Sequence, residues 1–207
     1  MIRDYLNQLP FIGILRGIAP DEAVPVGRTL RAAGFAIIEV PLNAPNAFES
    51  IRRLATEFGK TCLIGAGTVT RPAEVTEVAA AGGRLIVMPH SDPAVVRAAK
   101  TAGLCCAPGV ATPTEGFAAL ANGADALKLF PAELLGPPVL KAWRAVFPKS
   151  TVFIPVGGVK PETLAPFIAA GAQGFGLGSA LFDPSLPISA VATRAQAFVD
   201  AWCRIRS

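Results

Sequence analysis

A lysine and a glutamate each stand inside a short apolar run: Lys128 in ALKLFP (126–131) and Glu39 in AIIEVPL (36–42). Side chains of these two types are almost never fully buried without a partner. A lysine held in an apolar pocket loses part of its preference for the charged form and becomes an amine nucleophile able to condense with a ketone. A carboxylate beside it can move protons, directly or through a water. The same pair could instead be a buried ion pair of structural use only, although such a pair often stabilises no better than well-packed apolar residues. On the residues alone both readings stand.

The elements that would carry these side chains recur along the chain. Eight apolar runs, FIGILR (11–16), AIIEVPL (36–42), CLIGAG (62–67), RLIVMP (84–89), LCCAPG (104–109), ALKLFP (126–131), TVFIPVGG (151–158) and GFGLGS (174–179), alternate with stretches of helical periodicity. Several of those stretches open with proline near the first turn and close with glycine, as in RAAGF, KTAGL and IAAGA, the asymmetry expected of helices. One example is PAELLGPPVLKAWRAVF, read as a single helix after the sixth run. Eight strand–helix units, preceded by a short helix around Ile2 to Leu9, describe a closed (β/α)8 barrel, expected as one domain over residues 1–207. An open doubly wound sheet would need a GxGxxG loop after its first strand, where this chain has LRGIAPDEA.

In a barrel of this kind the active site lies at the carboxyl ends of the strands. Those ends carry Arg16, Glu39, Thr68, His90, Pro108, Lys128, Gly157 with Gly158, and Gly178 with Ser179. Glu39 and Lys128 fall on the second and sixth strands, and alternate strands of a barrel fill the same interior layer. The glycine motifs VGGV (156–159) and GLGS (176–179) end the seventh and eighth strands, whose loops form the phosphate site of many barrels. Glycine lets backbone N–H groups approach an anion closely, and a following helix terminus would add its positive end. Arg16 suits a second anion, most simply a carboxylate held in a bidentate fork. His90, in MPHSDP, reads better as a satisfied loop histidine than as a catalytic group, and Trp143 and Trp202 read as packing between helices and barrel.

Composition narrows the field. Of 207 residues 52% are hydrophobic and 16% charged, which excludes disordered and coiled-coil classes. The net charge of +4 is spread without a basic cluster, so nucleic-acid binding is not expected, while a small anionic substrate is. No run approaches the roughly 20 apolar residues of a membrane span, and the opening MIRDYLNQLP lacks the apolar stretch of a signal peptide. With one histidine and no CxxC pair, a structural zinc site is not expected, nor is a cluster of carboxylates that would hold Mg²⁺. Cys105 and Cys106 would point to opposite faces of a strand, so reduced thiols in a cytoplasmic protein are the simpler expectation.

GILRG, IIEVPLN, IGAGTV, ALKLFP, PVGGV and GLGSAL, in this order over nearly the whole chain, resemble the 2-keto-3-deoxy-6-phosphogluconate / 4-hydroxy-2-oxoglutarate aldolase family. The resemblance implies a class I aldolase, a homotrimer of barrels that needs neither metal nor other cofactor and acts on a phosphosugar acid to release pyruvate. It further implies Lys128 as the Schiff-base lysine, Glu39 as the acid–base residue, and Arg16 on the substrate carboxylate. Thr68 would line the pyruvyl end, and Gly157, Gly158, Gly178 and Ser179 would surround the phosphate. Two positions depart from the gluconate branch: Asn43 stands for an arginine, and Val156 for the threonine before the paired glycines. Both are shared with the galactonate branch, so the resemblance implies cleavage of 2-dehydro-3-deoxy-6-phospho-D-galactonate to pyruvate and D-glyceraldehyde 3-phosphate. A gluconate-type or dual-epimer aldolase, and a non-catalytic phosphosugar-binding barrel, remain the alternatives.

Overall fold

A computed structural model describes residues 1–206, in which strands and helices alternate from β1 to the last helix. The strands are β1 (Phe11–Ile14), β2 (Ile37–Pro41), β3 (Leu63–Gly67), β4 (Leu85–Val87), β5 (Cys105–Ala107, resuming as Gly109–Val110), β6 (Leu127–Leu129), β7 (Phe153–Pro155) and β8 (Phe175–Leu177). All pair in parallel. β8 joins β1 on one side and meets β7 through the bridge Val156↔Gly176 on the other. The ring is continuous through β5, because Cys106 O accepts from Asp125 N and Pro108 O from Lys128 N. The fold is thus the (β/α)8 barrel expected from the sequence.

β5 is split because Pro108 has no N–H to give to the ladder. The expected helix after β6 also differs. Ala132–Arg144 is interrupted at Gly136, with φ 68° and ψ 168°, where Pro137 and Pro138 likewise lack N–H groups. The Lys160–Gly171 stretch makes a 3-10 turn (Pro161–Thr163) before the short helix Leu164–Ala169, and the terminal helix runs from Ile188 to Arg206.

Strand periodicity of two sorts the side chains into two cores. Phe11, Ile38, Val40, Ile64, Ile86, Leu127, Leu129, Phe153 and Phe175 face the helices. Trp143 packs 5.7 Å from Phe147, and Trp202 lies 6.4 Å from Phe11, both within this outer layer as expected. Ile12, Ile14, Ile37, Leu63, Leu85, Val87, Cys105, Val152 and Ile154 face the barrel axis. Cys105 and Cys106 therefore lie in different cores, and both thiols are free. Helix α1 (Ile2–Leu6) inserts Ile2 and Leu6 into the axial core. A Cβ at Gly174 would stand 2.8 Å from Leu6 Cδ2, so that glycine permits the approach. The amino-terminal mouth is thereby filled with apolar atoms, and polar side chains on the axis can be accommodated only towards the carboxyl ends of the strands. Among the described residues no helix is long and apolar enough to cross a membrane.

Candidate active site

Glu39 and Lys128 continue the inward rows that begin with Ile37 and Ala126, one step nearer the carboxyl ends. They are 2% and 6% exposed, which places both charges inside the apolar barrel. Both line one cavity of about 430 Å³ with Arg16, Val156, Gly157, Gly158, Lys160, Gly178 and Ser179. Ile14, Phe130, Val159, Gly176 and Ala180 complete its wall. Every site residue expected from the sequence is gathered here except Thr68. That residue, half-buried just past β3, is not part of the lining. Its φ of 56° is a left-handed conformation that costs a β-branched residue on the order of 1 kcal/mol. His90 is exposed on its loop and lies outside the cavity; its carbonyl accepts from Gly109 N.

The two charged side chains are not spent on each other. Among the described residues no carboxylate comes within 4.0 Å of Lys128 Nζ, and Glu39 Oε2 is buried with no hydrogen-bond partner. The contact that Nζ makes is with the Phe130 ring, 4.5 Å from its centroid. Burial pushes the Glu39 carboxyl up to about 7, the nearby charges of Lys128 and Arg16 only partly opposing it. Burial likewise lowers the Lys128 ammonium from its ordinary value, with Glu39 acting against the shift and Arg16 adding to it. A base near neutrality and an amine with a weakened hold on its proton thus share one pocket, the arrangement suited to imine formation and proton transfer.

Neighbouring residues make this possible. A Cβ at Gly67 would fall 2.0 Å from Glu39 Oε2, so the glycine leaves the space that the carboxylate fills. A Cβ at Gly176 would fall 2.6 Å from Val156 Cγ2, which lets Val156 reach the axis. Arg16 Nη1 donates to Asn43 Oδ1 at 3.1 Å, and the amide fixes the direction of the guanidinium at the rim. Gly157 and Gly158 have φ of 102° and 64°, and a Cβ on either would strike Glu133, at 2.2 Å from Oε2 and 2.7 Å from Cβ respectively. Gly178 is different: a Cβ there would meet nothing within 4 Å, so glycine at this position leaves cavity space open. The expected helix terminus does not follow GLGS directly. The chain makes a single turn, with Leu181 N and Phe182 N donating to Gly178 O, and the terminal helix starts only at Ile188. No group of three or more His, Cys, Asp or Glu side chains is placed to hold a metal ion among the described residues.

Phe130, Lys160, Gly67 and the Asn43 tether were not read as functional from the sequence. Lys160 carried a signal, standing two residues beyond the paired glycines in VGGVK.

A family model described as KDPG and KHG aldolase matches residues 2–193. The chain is 47% identical over 193 residues to a "Probable 2-dehydro-3-deoxy-6-phosphogalactonate aldolase" of Rhizobium meliloti (strain 1021), covering 93% of this chain and 91% of that one. It is 45% identical over 196 residues to the 2-dehydro-3-deoxy-6-phosphogalactonate aldolase of Escherichia coli (strain K12), covering 95% and 96%. A solved structure described as "Native KDPGal structure" superposes with a TM-score of 0.94 at 44% identity, covering 96% of this chain and 97% of that one.

The shifts of the two buried groups have a consequence for stability. Lys128 has a folded-state pKa below its ordinary 10.5, so its cost is present at neutral pH and fades as pH rises to that value. Glu39, at about 7 against 4.5, loses stability as pH rises from 4.5 to 7. Lys128→Met, which removes the charge and keeps an unbranched side chain, is expected to raise the melting temperature at pH 7 by about 2–4 °C, on the order of 1 kcal/mol for a chain of this length. Thermal unfolding followed by circular dichroism measures this, and a lowered melting temperature would show Lys128 to be a stabilising element.

Proposed function

Because the chain belongs to the KDPG and KHG aldolase family and is a class I aldolase of that type, we propose that it cleaves 2-dehydro-3-deoxy-6-phospho-D-galactonate to pyruvate and D-glyceraldehyde 3-phosphate, with Lys128 as nucleophile and Glu39 as acid and base. The observation that carries the assignment of roles is that both groups are buried in one cavity without pairing. A structural ion pair would bring N and O into contact, and here each group stands free for a ligand.

The neutral amine of Lys128 adds to the C2 ketone, and the carbinolamine loses water to give a protonated imine. Glu39, as carboxylate, takes the proton of the C4 hydroxyl directly or through a water. The C3–C4 bond breaks, its electron pair flows to the imine nitrogen to give an enamine, and the C4 aldehyde leaves. Protonated Glu39 returns a proton to C3, and water hydrolyses the imine to free Lys128 and pyruvate. Arg16, steered by Asn43, faces the C1 carboxylate, while Gly157, Gly158, Gly178 and Ser179, which line the same cavity, surround the phosphate. Thr68 would act from the rim on the pyruvyl end.

The galactonate epimer is favoured over the gluconate one by the nature of the two relatives above and by Val156, which presents methyl groups where the gluconate branch presents a hydroxyl. A substrate hydroxyl that finds no partner is rejected at the cost of an unmade hydrogen bond. A homotrimer of single-domain barrels accompanies this reading, for which exposed Phe117, Leu134, Val146 and Ile188 offer apolar surface.

Three outcomes are expected. Steady-state kinetics on the two purified epimers should give a higher kcat/KM for the galactonate compound, and Val156→Thr should narrow the ratio; a preference for the gluconate epimer would reverse the substrate assignment. The kcat/KM profile should rise through pH about 7, where Glu39 becomes a base, and Glu39→Gln should lose that limb and at least about 10²-fold in rate; an unchanged profile in the variant would remove Glu39 from the mechanism. Light scattering on the eluted protein should return three times the 21.4 kDa chain mass, and a monomer would dismiss the trimer.

A further inference from the structure

The phosphate end of the cavity, as described so far, is built of neutral donors. A phosphate monoester carries a charge of about −1.5 to −2 near neutral pH, and backbone N–H groups alone are a weak counterweight to it. The surroundings make the deficit larger. Glu133 lies against the back of the glycine loop, its Oε2 where a Cβ of Gly157 would come within 2.2 Å. A loop that has a carboxylate behind it and must hold a dianion in front of it needs a cation.

We propose that Lys160 is that cation: a specificity-determining residue that captures the phosphate group of the substrate and thereby separates phosphorylated from unphosphorylated sugar acids. Lys160 lines the same cavity as Gly157, Gly158 and Ser179. Its backbone is fixed, since Lys160 N donates to Thr163 Oγ1 at 2.9 Å and Lys160 O accepts from Thr163 N at 3.0 Å and from Thr163 Oγ1 at 2.9 Å. The stem therefore leaves from a defined point of an exposed residue. Nothing else claims it: among the described residues no carboxylate comes within 4.0 Å of Lys160 Nζ. Arg194, the arginine beside Ser179, is engaged, donating to the carbonyl of Ser179.

The placement also completes the set of charges that line the cavity. Arg16, Lys128 and Lys160 are its three basic residues and Glu39 its acidic one. A substrate with a carboxylate at one end and a phosphate at the other finds a cation for each end in addition to the nucleophile. An exposed ammonium at the mouth acts mainly by drawing the dianion in, so its effect belongs to capture rather than to bond breaking.

The inference rests on the phosphosugar reading, and one set of kinetics separates the two. Cleavage of 2-dehydro-3-deoxy-6-phosphogalactonate and of its unphosphorylated analogue is measured at low and moderate salt for wild type, Lys160→Ala, Lys160→Arg and Lys149→Ala, the last removing an exposed charge at the opposite, amino-terminal end of the barrel. The expected result is a KM for the phosphorylated compound raised about tenfold in Lys160→Ala and most strongly at low salt. Lys160→Arg should restore it, Lys149→Ala should stay at the wild-type value, and no variant should alter the unphosphorylated compound. A wild type that prefers the phosphorylated compound while Lys160→Ala keeps its KM within about twofold overturns the role of Lys160 alone. A wild type that turns over both compounds equally overturns the phosphate reading, and the role of Lys160 falls with it.

Discussion

Desolvation of two opposite charges that do not touch is the constraint on which this structure turns. Lys128 and Glu39 sit in the apolar axis of the barrel, and each would be more comfortable in water or in contact with the other. The fold holds them apart by mounting them on strands that are not neighbours, and β-ladders do not yield to the attraction of one ion pair. Burial raises the affinity of Glu39 for its proton and lowers that of Lys128. The same desolvation that costs stability therefore brings a base and an amine towards the working range of acid–base and imine chemistry.

Much of the remaining architecture can be understood as support for that arrangement. The apolar plug of Ile2 and Leu6 closes the amino-terminal mouth, so water reaches the pair only from the side where a ligand enters. Gly67 gives up a side chain to make room for the Glu39 carboxylate, and Gly176 does so for Val156. The outer layer of Phe11, Phe35, Phe153, Phe175 and Phe198, fully buried between sheet and helices, supplies the apolar burial that offsets the cost at the axis.

Much of this was legible in the sequence because charge inside an apolar run is a rare event. Lys128 and Glu39 could be picked out by that alone, and the glycines of VGGV and GLGS by their place at the last two strands. Other features were hidden for physical reasons. Whether Lys and Glu pair depends on how far the two side chains reach across the barrel, which no periodicity encodes. The break in β5 at Pro108 and the interruption at Gly136 are local backbone events inside segments whose hydrophobic pattern runs on without change. Gly67 looks like any strand glycine until the carboxylate beside it is seen. Thr68 belongs to a well-matched motif, yet it has a left-handed backbone and is not part of the cavity lining. Lys160 is an exposed lysine after a turn, an ordinary feature, and its place two residues beyond the paired glycines gains meaning only with the shared cavity wall.

The most direct test of the central claim is to incubate the protein with pyruvate, reduce with sodium borohydride and locate the adduct by peptide mass mapping. A reduced pyruvyl adduct is expected on the peptide carrying Lys128, and none when Lys128 is replaced by methionine. An adduct on another lysine, or no adduct in a folded protein that binds pyruvate, would contradict it and return Lys128 and Glu39 to the framework of the barrel.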